Sequence, residues 1–290
     1  MKWSGLYTPL ITPFKNDELD EEGLKNLIQM QKQAGVSGLV LLGTTAEFLS
    51  LSEEENERIV KIAKAEAPHL PLVVGVGSPS TREAIRNLER AIRLGADAAL
   101  VITPFYNKPS QEGLFSHYEV LSNLSFPLFV YNNPSRTAVH LELETLRKIA
   151  ELPAIIGMKD SAGNVKSFAE TVSLMKKEFP HFVVWGGDDS LLFPFLTLGA
   201  DGAVASAANA FPERIQELVS LTLNKEFERA RACYFELLPL FEVLSIASNP
   251  VPLKYAMSCL GLPAGIPRLP LTSLNPFQKT TIEQLFQAGF

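Results

Sequence analysis

Cysteine is scarce in this chain of 290 residues: Cys233 and Cys259 are the only two, and their spacing matches no metal or redox motif. A disulfide framework is excluded, and both read as ordinary packed thiols. Long apolar runs are missing too. No stretch approaches the about 18 apolar residues that a membrane helix requires, so no membrane partner is expected. There is no block of Lys or Arg and the formal net charge is −6, which argues against a nucleic-acid surface. The opening segment runs into an acidic cluster, DELDEE, the wrong pattern for a leader peptide, so a cytoplasmic address is expected. Histidine is thin as well. The four, His69, His117, His140 and His181, all fall in connections or helix-like segments. A His-liganded metal or a His-based triad therefore has little support, and no metal or cofactor is expected. What remains is ordinary globular usage, 46% apolar and 20% charged, with small molecules as the natural partners.

Eight short apolar runs recur along the chain, at 7–12, 37–43, 70–77, 98–103, 127–132, 154–159, 182–187 and 202–207. Each is rich in β-branched residues and lacks strict alternation, as in strands covered on both faces. Helix-period segments lie between them, with acids toward their starts and bases toward their ends. Gly35, Gly95 and Gly199 each stop a helix two or three residues before a strand, a weak βα repeat. The pattern predicts a closed (β/α)8 barrel over 1–211 and a helical C-terminal extension over 212–290 packed on it. An open doubly wound sheet is the alternative. Its dinucleotide site would have to use GVGSPS at 75–80, where Pro79 supplies no backbone donor.

In a barrel the strand exits form the working face, so they are read as a group. Hydroxyls dominate them. One residue is out of character: Lys159 ends the run Ala154–Lys159, which otherwise reads as buried strand. Burial favours a neutral amine, able to attack a carbonyl and form a Schiff base. The plainer reading is a lysine that snorkels outward or pairs with Asp160. Tyr131 ends the preceding strand and Thr44 lies across the barrel; they could relay protons, or they could be a barrel-end aromatic and a helix cap. Arg136 on the same mouth is either a surface ion-pair partner or a fork for a substrate carboxylate. Asp188 and Asp189 read as a helix cap in preference to a magnesium site.

The segments GTTAE (43–47), TPFYNKPSQEGL (103–114), YNNPSRT (131–137), GMKDSAG (157–163), GGDD (186–189) and SNPVPLKYA (248–256) follow one another in an order that resembles a known family. It is the superfamily of pyruvate-dependent Schiff-base aldolases named after dihydrodipicolinate synthase and N-acetylneuraminate lyase. The resemblance covers essentially the whole chain. It implies that Lys159 forms the Schiff base with pyruvate and that Tyr131 donates and accepts protons beside it. Thr44 would connect Tyr131 to Tyr106, which in the family reaches in from a neighbouring subunit, so a homo-oligomer, dimer or tetramer, is implied. Thr45 matches the position that holds the pyruvate carboxylate; Gly187 and Val204 match backbone positions lining the pocket. Arg136 in PSRT is similar to the arginine of the synthase branch, which condenses pyruvate with aspartate semialdehyde in lysine and diaminopimelate biosynthesis. The alternatives are a 2-keto-3-deoxy sugar acid aldolase or N-acetylneuraminate-type lyase using the same lysine and, from another class, a non-catalytic barrel that binds oxo-acids.

Two departures from the family carry expectations. Ala46 stands where the usual motif has glycine; if that position needs φ > 0, alanine costs about 1 kcal/mol and shifts Thr44 or Thr45. Glu53, Asn56, Pro79, Glu83 and Phe105 align with the site through which lysine inhibits some members, and only Glu83 fits it. Lysine feedback is therefore expected to be absent.

Overall fold

The computed structural model of the protein describes residues 3–290. Eight strands close into a barrel: β1 Gly5–Pro9, β2 Gly38–Leu41, β3 Leu72–Gly75, β4 Ala98–Ile102, β5 Leu128–Asn132, β6 Ile155–Asp160, β7 Val183–Gly186 and β8 Gly202–Val204. Every neighbouring pair runs parallel, and β1 pairs with both β2 and β8 to complete the ring. This is the (β/α)8 barrel that the eight apolar runs predict. The last strand is shorter than its run, because the chain turns into a 3-10 helix at Ser206–Asn209. A two-stranded ribbon, Phe14–Lys15 against Glu18–Leu19, has no counterpart in the sequence reading.

The helices start where short polar side chains accept backbone N–H groups. Asp20 caps α1 (Glu21–Gln33), and Ser52 forms a reciprocal capping box with Glu55 on α2 (Glu53–Glu66). Ser80 caps α3 (Thr81–Arg93), Ser110 caps α4 (Gln111–Ser122), and Asn164 caps α6 (Val165–Glu178), which follows the shorter α5 (Leu143–Ala150). Gly35, Gly95 and Gly199 follow helix ends with φ of +72°, +80° and +103°, the left-handed stops expected of them. After α7 (Leu192–Thr197), helix α8 (Pro212–Leu223) packs directly on β1. The chain then continues as α9 (Phe227–Leu244), α10 (Val251–Cys259) and α11 (Pro276–Gln287). No helix among the described residues is long and apolar enough to cross a membrane.

The barrel interior is plugged by aromatics: the Phe129 and Trp185 rings stack with centroids 3.9 Å apart, and Tyr7 lies 4.5 Å from Trp185. Gly157 makes room for that stack, since a β-carbon there would come within 2.8 Å of the Phe129 ring and 2.4 Å of the Val183 carbonyl oxygen. Above the plug, at the carboxyl ends of the strands, the interior opens.

Candidate active site

Strand β6 delivers Lys159 to the open end of the barrel, opposite Tyr131 of β5 and Trp185 of β7. It is 8% exposed and does not snorkel outward. Asp160 is not its partner: strand alternation sends that carboxylate to the other face, where Oδ1 accepts the N–H of Ala162 at 2.7 Å. Among the described residues no carboxylate lies at ion-pair distance from Lys159. Its Nζ instead sits 4.3 Å from the centre of the Tyr131 ring. The stem crosses Gly187, where a β-carbon would come within 2.4 Å of Lys159 Cε and 2.2 Å of Ser161 Oγ. Gly187 is thus needed for the space it leaves.

Tyr131 is 6% exposed, and its Oη accepts a hydrogen bond from Asn133 Nδ2 at 2.8 Å. Asn133 is oriented in turn by Ser135, whose Oγ donates to Asn133 Oδ1 at 2.7 Å. Burial works to raise the pKa of the phenol. The Lys159 charge, hydrogen bonds from Asn133 and Ser161, and the nearby Arg136 charge outweigh it and hold the phenol below its ordinary value. Proton movement at Tyr131 is correspondingly easier.

The turn after β2 places Thr44 and Thr45 at the same mouth. Thr45 is buried, and its Oγ1 accepts from Asn249 Nδ2 at 3.0 Å. Ala46 sits inside the 3-10 turn Thr44–Ala46, and the left-handed backbone falls at the next residue, Glu47, with φ of 57°. The strain expected of Ala46 therefore does not arise there. Arg136 stands on the short helical turn Pro134–Thr137, exposed, with one Nη donating to the Asn249 carbonyl at 3.3 Å. Val204 ends β8 and lines the cavity with Thr44, Thr45, Tyr131, Arg136, Lys159 and Gly187. Seven of the eight residues expected at the site therefore converge on one cavity of about 660 Å³. Tyr106 does not join them within this chain: it is 92% exposed on the loop after β4, with φ of 73°.

The neighbouring polar groups take structural parts. Asp188 caps the turn Asp189–Leu191 through the N–H and hydroxyl of Ser190, at 3.0 and 2.7 Å. Asp189 accepts from Ser206 N, Ser206 Oγ and Ala207 N at 2.9, 2.6 and 2.8 Å. Asp188 caps the turn it opens, as its position predicted, whereas Asp189 reaches across to the start of the 3-10 turn Ser206–Asn209. None of the four histidines lines the cavity. His117 is buried on α4, and burial pushes its imidazole down to about 4.

Sequence reasoning missed the second half of the cavity. Asn133, Ser135 and Ser161 line it, and a whole wall comes from the C-terminal extension: Leu238, Phe241, Glu242, Leu244, Ser245 and the segment 247–249. For Asn249 a signal was present, because it lies in SNPVPLKYA, yet nothing in that string says that its side chain meets Thr45.

A family model for the dihydrodipicolinate synthetase family matches residues 2–289. A 4-hydroxy-tetrahydrodipicolinate synthase of Protochlamydia amoebophila (strain UWE25) is 40% identical over 288 residues, which span 98% of this chain and 96% of the relative. Among solved structures, a dihydrodipicolinate synthase from Thermotoga maritima superposes with a TM-score of 0.97 at 34% identity, covering 99% of both chains. A monomeric dihydrodipicolinate synthase variant superposes with a TM-score of 0.96 at 34% identity, over 99% of this chain and 96% of its own.

Proposed function

The chain belongs to the dihydrodipicolinate synthetase family, and on that premise we propose that it condenses pyruvate with aspartate semialdehyde, the reaction of the 4-hydroxy-tetrahydrodipicolinate synthases it resembles. The observation that carries this reading is a buried lysine with no carboxylate partner, held against a tyrosine at the mouth of a barrel.

Lys159 Nζ adds to C2 of pyruvate, and the carbinolamine loses water to give the Schiff base. Loss of a C3 proton gives the enamine, whose C3 attacks the aldehyde carbon of the semialdehyde. The semialdehyde amine then adds to the imine carbon and expels Lys159 as the ring closes. Tyr131 is suited to carry the protons of carbinolamine collapse and of imine exchange: Asn133 donates to its Oη, which supports the phenolate, and the lowered pKa eases proton loss from the phenol. Thr44 extends that relay. Thr45 holds the pyruvate carboxylate, while Gly187 and Val204 shape the pocket around the bound oxo-acid. Arg136, whose one hydrogen bond among the described residues is the 3.3 Å contact to the Asn249 carbonyl, keeps most of its fork free for the semialdehyde carboxylate.

Tyr106 serves a second subunit in this reading. A large aromatic, 92% exposed on a left-handed backbone, is poorly explained in an isolated chain and well explained as the end of a relay reaching into a neighbour. The assembly is thus a dimer or a pair of dimers, working in the cytoplasm.

The decisive experiment is borohydride treatment with pyruvate, followed by mapping of peptides by mass. A reduced pyruvyl adduct on the Lys159 peptide is expected. A folded protein with Lys159 unmodified sinks the proposal and returns the barrel to the class of oxo-acid binders.

A further inference from the structure

Glu47 stands where the loop after β2 reverses. It closes the 3-10 turn Thr44–Ala46 and opens the next, Phe48–Ser50, with φ of 57° and ψ of 37°, a backbone state that a β-carbon disfavours. Its side chain does not line the cavity. It turns back into the protein, fully buried, and meets Lys254 of α10, also buried, with Oε1 2.5 Å from Nζ. The other oxygen, Oε2, accepts the N–H of Arg268 at 2.9 Å. Lys254 Nζ and the Arg268 guanidinium each lie 4.2 Å from the centre of the Phe14 ring.

A buried ion pair of this kind is a poor stabiliser, because desolvating both charges offsets most of their attraction. Here Glu47 Oε1 and Lys254 Nζ have no polar partner among the described residues besides each other. What the pair does have is attachment on both sides to the cavity. Two residues before Glu47 is Thr45; just before α10 is Asn249, whose Nδ2 donates to Thr45 Oγ1 at 3.0 Å. Thr12 Oγ1 holds the Ala46 carbonyl between them at 2.7 Å.

We infer that Glu47 and Lys254 are positioning residues: their ion pair clamps α10 to the loop after β2 and thereby aims the Thr45 hydroxyl at the carboxylate of pyruvate. Because Asn249 donates into Thr45 Oγ1, the hydroxyl's own hydrogen is left to be donated, and the cavity is where it can go. A slide of α10 against the loop separates Asn249 from Thr45 and frees the hydroxyl to turn away. The inference rests on the assignment of this cavity to pyruvate and adds what holds its carboxylate end.

The test uses the full chain with both charges removed, Glu47→Gln with Lys254→Met, since Lys254→Met alone strands a buried carboxylate. Folded fraction is read by circular dichroism, and borohydride trapping at Lys159 is titrated with pyruvate. Half-saturation and KM for pyruvate are expected to rise about tenfold, or about 1.4 kcal/mol of pyruvate binding, with kcat per folded site changed less than about threefold. Glu47→Gln alone, which keeps an oxygen for Arg268, is expected to move half-saturation in the same direction by less. A role in stability alone lowers the melting temperature and leaves half-saturation at the wild-type value. That result overturns the inference in the double variant or, if the double variant does not fold, in Glu47→Gln. A wild-type protein that yields no adduct at any pyruvate concentration overturns the function itself, so the two failures are told apart.

Discussion

Lys159 at the barrel mouth and Lys254 at the junction with the extension are both buried, 8% and 1% exposed, and both rest on an aromatic ring, at 4.3 and 4.2 Å. Their surroundings differ in two respects. Lys254 has a carboxylate at 2.5 Å and does not line the cavity of about 660 Å³; Lys159 lines it and has no carboxylate at ion-pair distance among the described residues. Burial pushes the Lys254 ammonium below its ordinary value, and the Glu47 charge offsets only part of that. The ring contact is common to both, so it does not mark a reactive lysine. The missing counter-charge together with the space for a carbonyl does.

That contrast is broken most forcefully at Lys159. Lys159→Ala is expected to lower kcat/KM by on the order of 10⁴-fold or more, as for loss of a nucleophile, and to abolish borohydride trapping, with the fold intact by circular dichroism. Retention of more than about a hundredth of the activity would mean that the reaction does not pass through this amine.

Lys254→Met should do the reverse. It leaves Glu47 charged and buried without its partner, at a cost of about 3–5 kcal/mol in stability. Urea unfolding of this variant beside Lys159→Met measures the difference directly: the midpoint is expected to fall sharply for Lys254→Met and little for Lys159→Met. Equal midpoints would erase the distinction between the two sites.

A smaller effect is expected at Arg136, whose charge is spent on neither lysine. Loss of one charge-assisted carboxylate pair removes about 1.5–3 kcal/mol, so Arg136→Ala should raise KM for the semialdehyde roughly 10- to 100-fold. Trapping of pyruvate on Lys159 should stay close to wild type. If pyruvate trapping collapses as well, the guanidinium serves the first substrate and the assignment is wrong.

The smallest effect is expected from a lysine outside the chain. At the positions aligned with the inhibitory site, Glu53 is already paired with Arg90 at 2.6 Å and Glu83 with Arg86 at 3.2 Å, while Pro79 offers no side-chain donor. A free ammonium meets carboxylates that already have cations. Millimolar L-lysine should leave the initial rate of condensation nearly unchanged, and saturable inhibition below about a millimolar, an affinity of roughly 4 kcal/mol, contradicts this.

The architecture was legible because it follows from local rules repeated eight times. Apolar runs covered on both faces, helices with acidic starts, and Gly35, Gly95 and Gly199 as stops need no long-range information. The strand-exit half of the cavity was legible for the same reason: in a barrel the ends of the strands share one face, so Thr44, Tyr131 and Lys159 are neighbours once the strands are known. Asn249 was not, since its meeting with Thr45 spans 204 residues and nothing local in SNPVP encodes it. Glu47 and Lys254 were equally silent. A charged residue in a loop and another in a helix read as surface groups until the chain is folded and both prove to be inside.

By itself, then, the amino-acid order determined the barrel, its working end and the identity of the odd residue, Lys159. Which way that lysine points was left to the tertiary structure. In Ile155–Asp160 nearly every residue is buried, so the run carries no alternation from which a face could be read. The decision comes from pairing with β5: Leu128 lies opposite Ile155, but Phe129 lies opposite Gly157, so the register skips Ile156. Side chains alternate with a period of two, and one skipped residue exchanges the faces for everything after it. Ile155 packs outward with the helices, whereas Gly157 and Lys159 turn into the barrel. Without that single irregularity the same sequence would send Lys159 out among the helices.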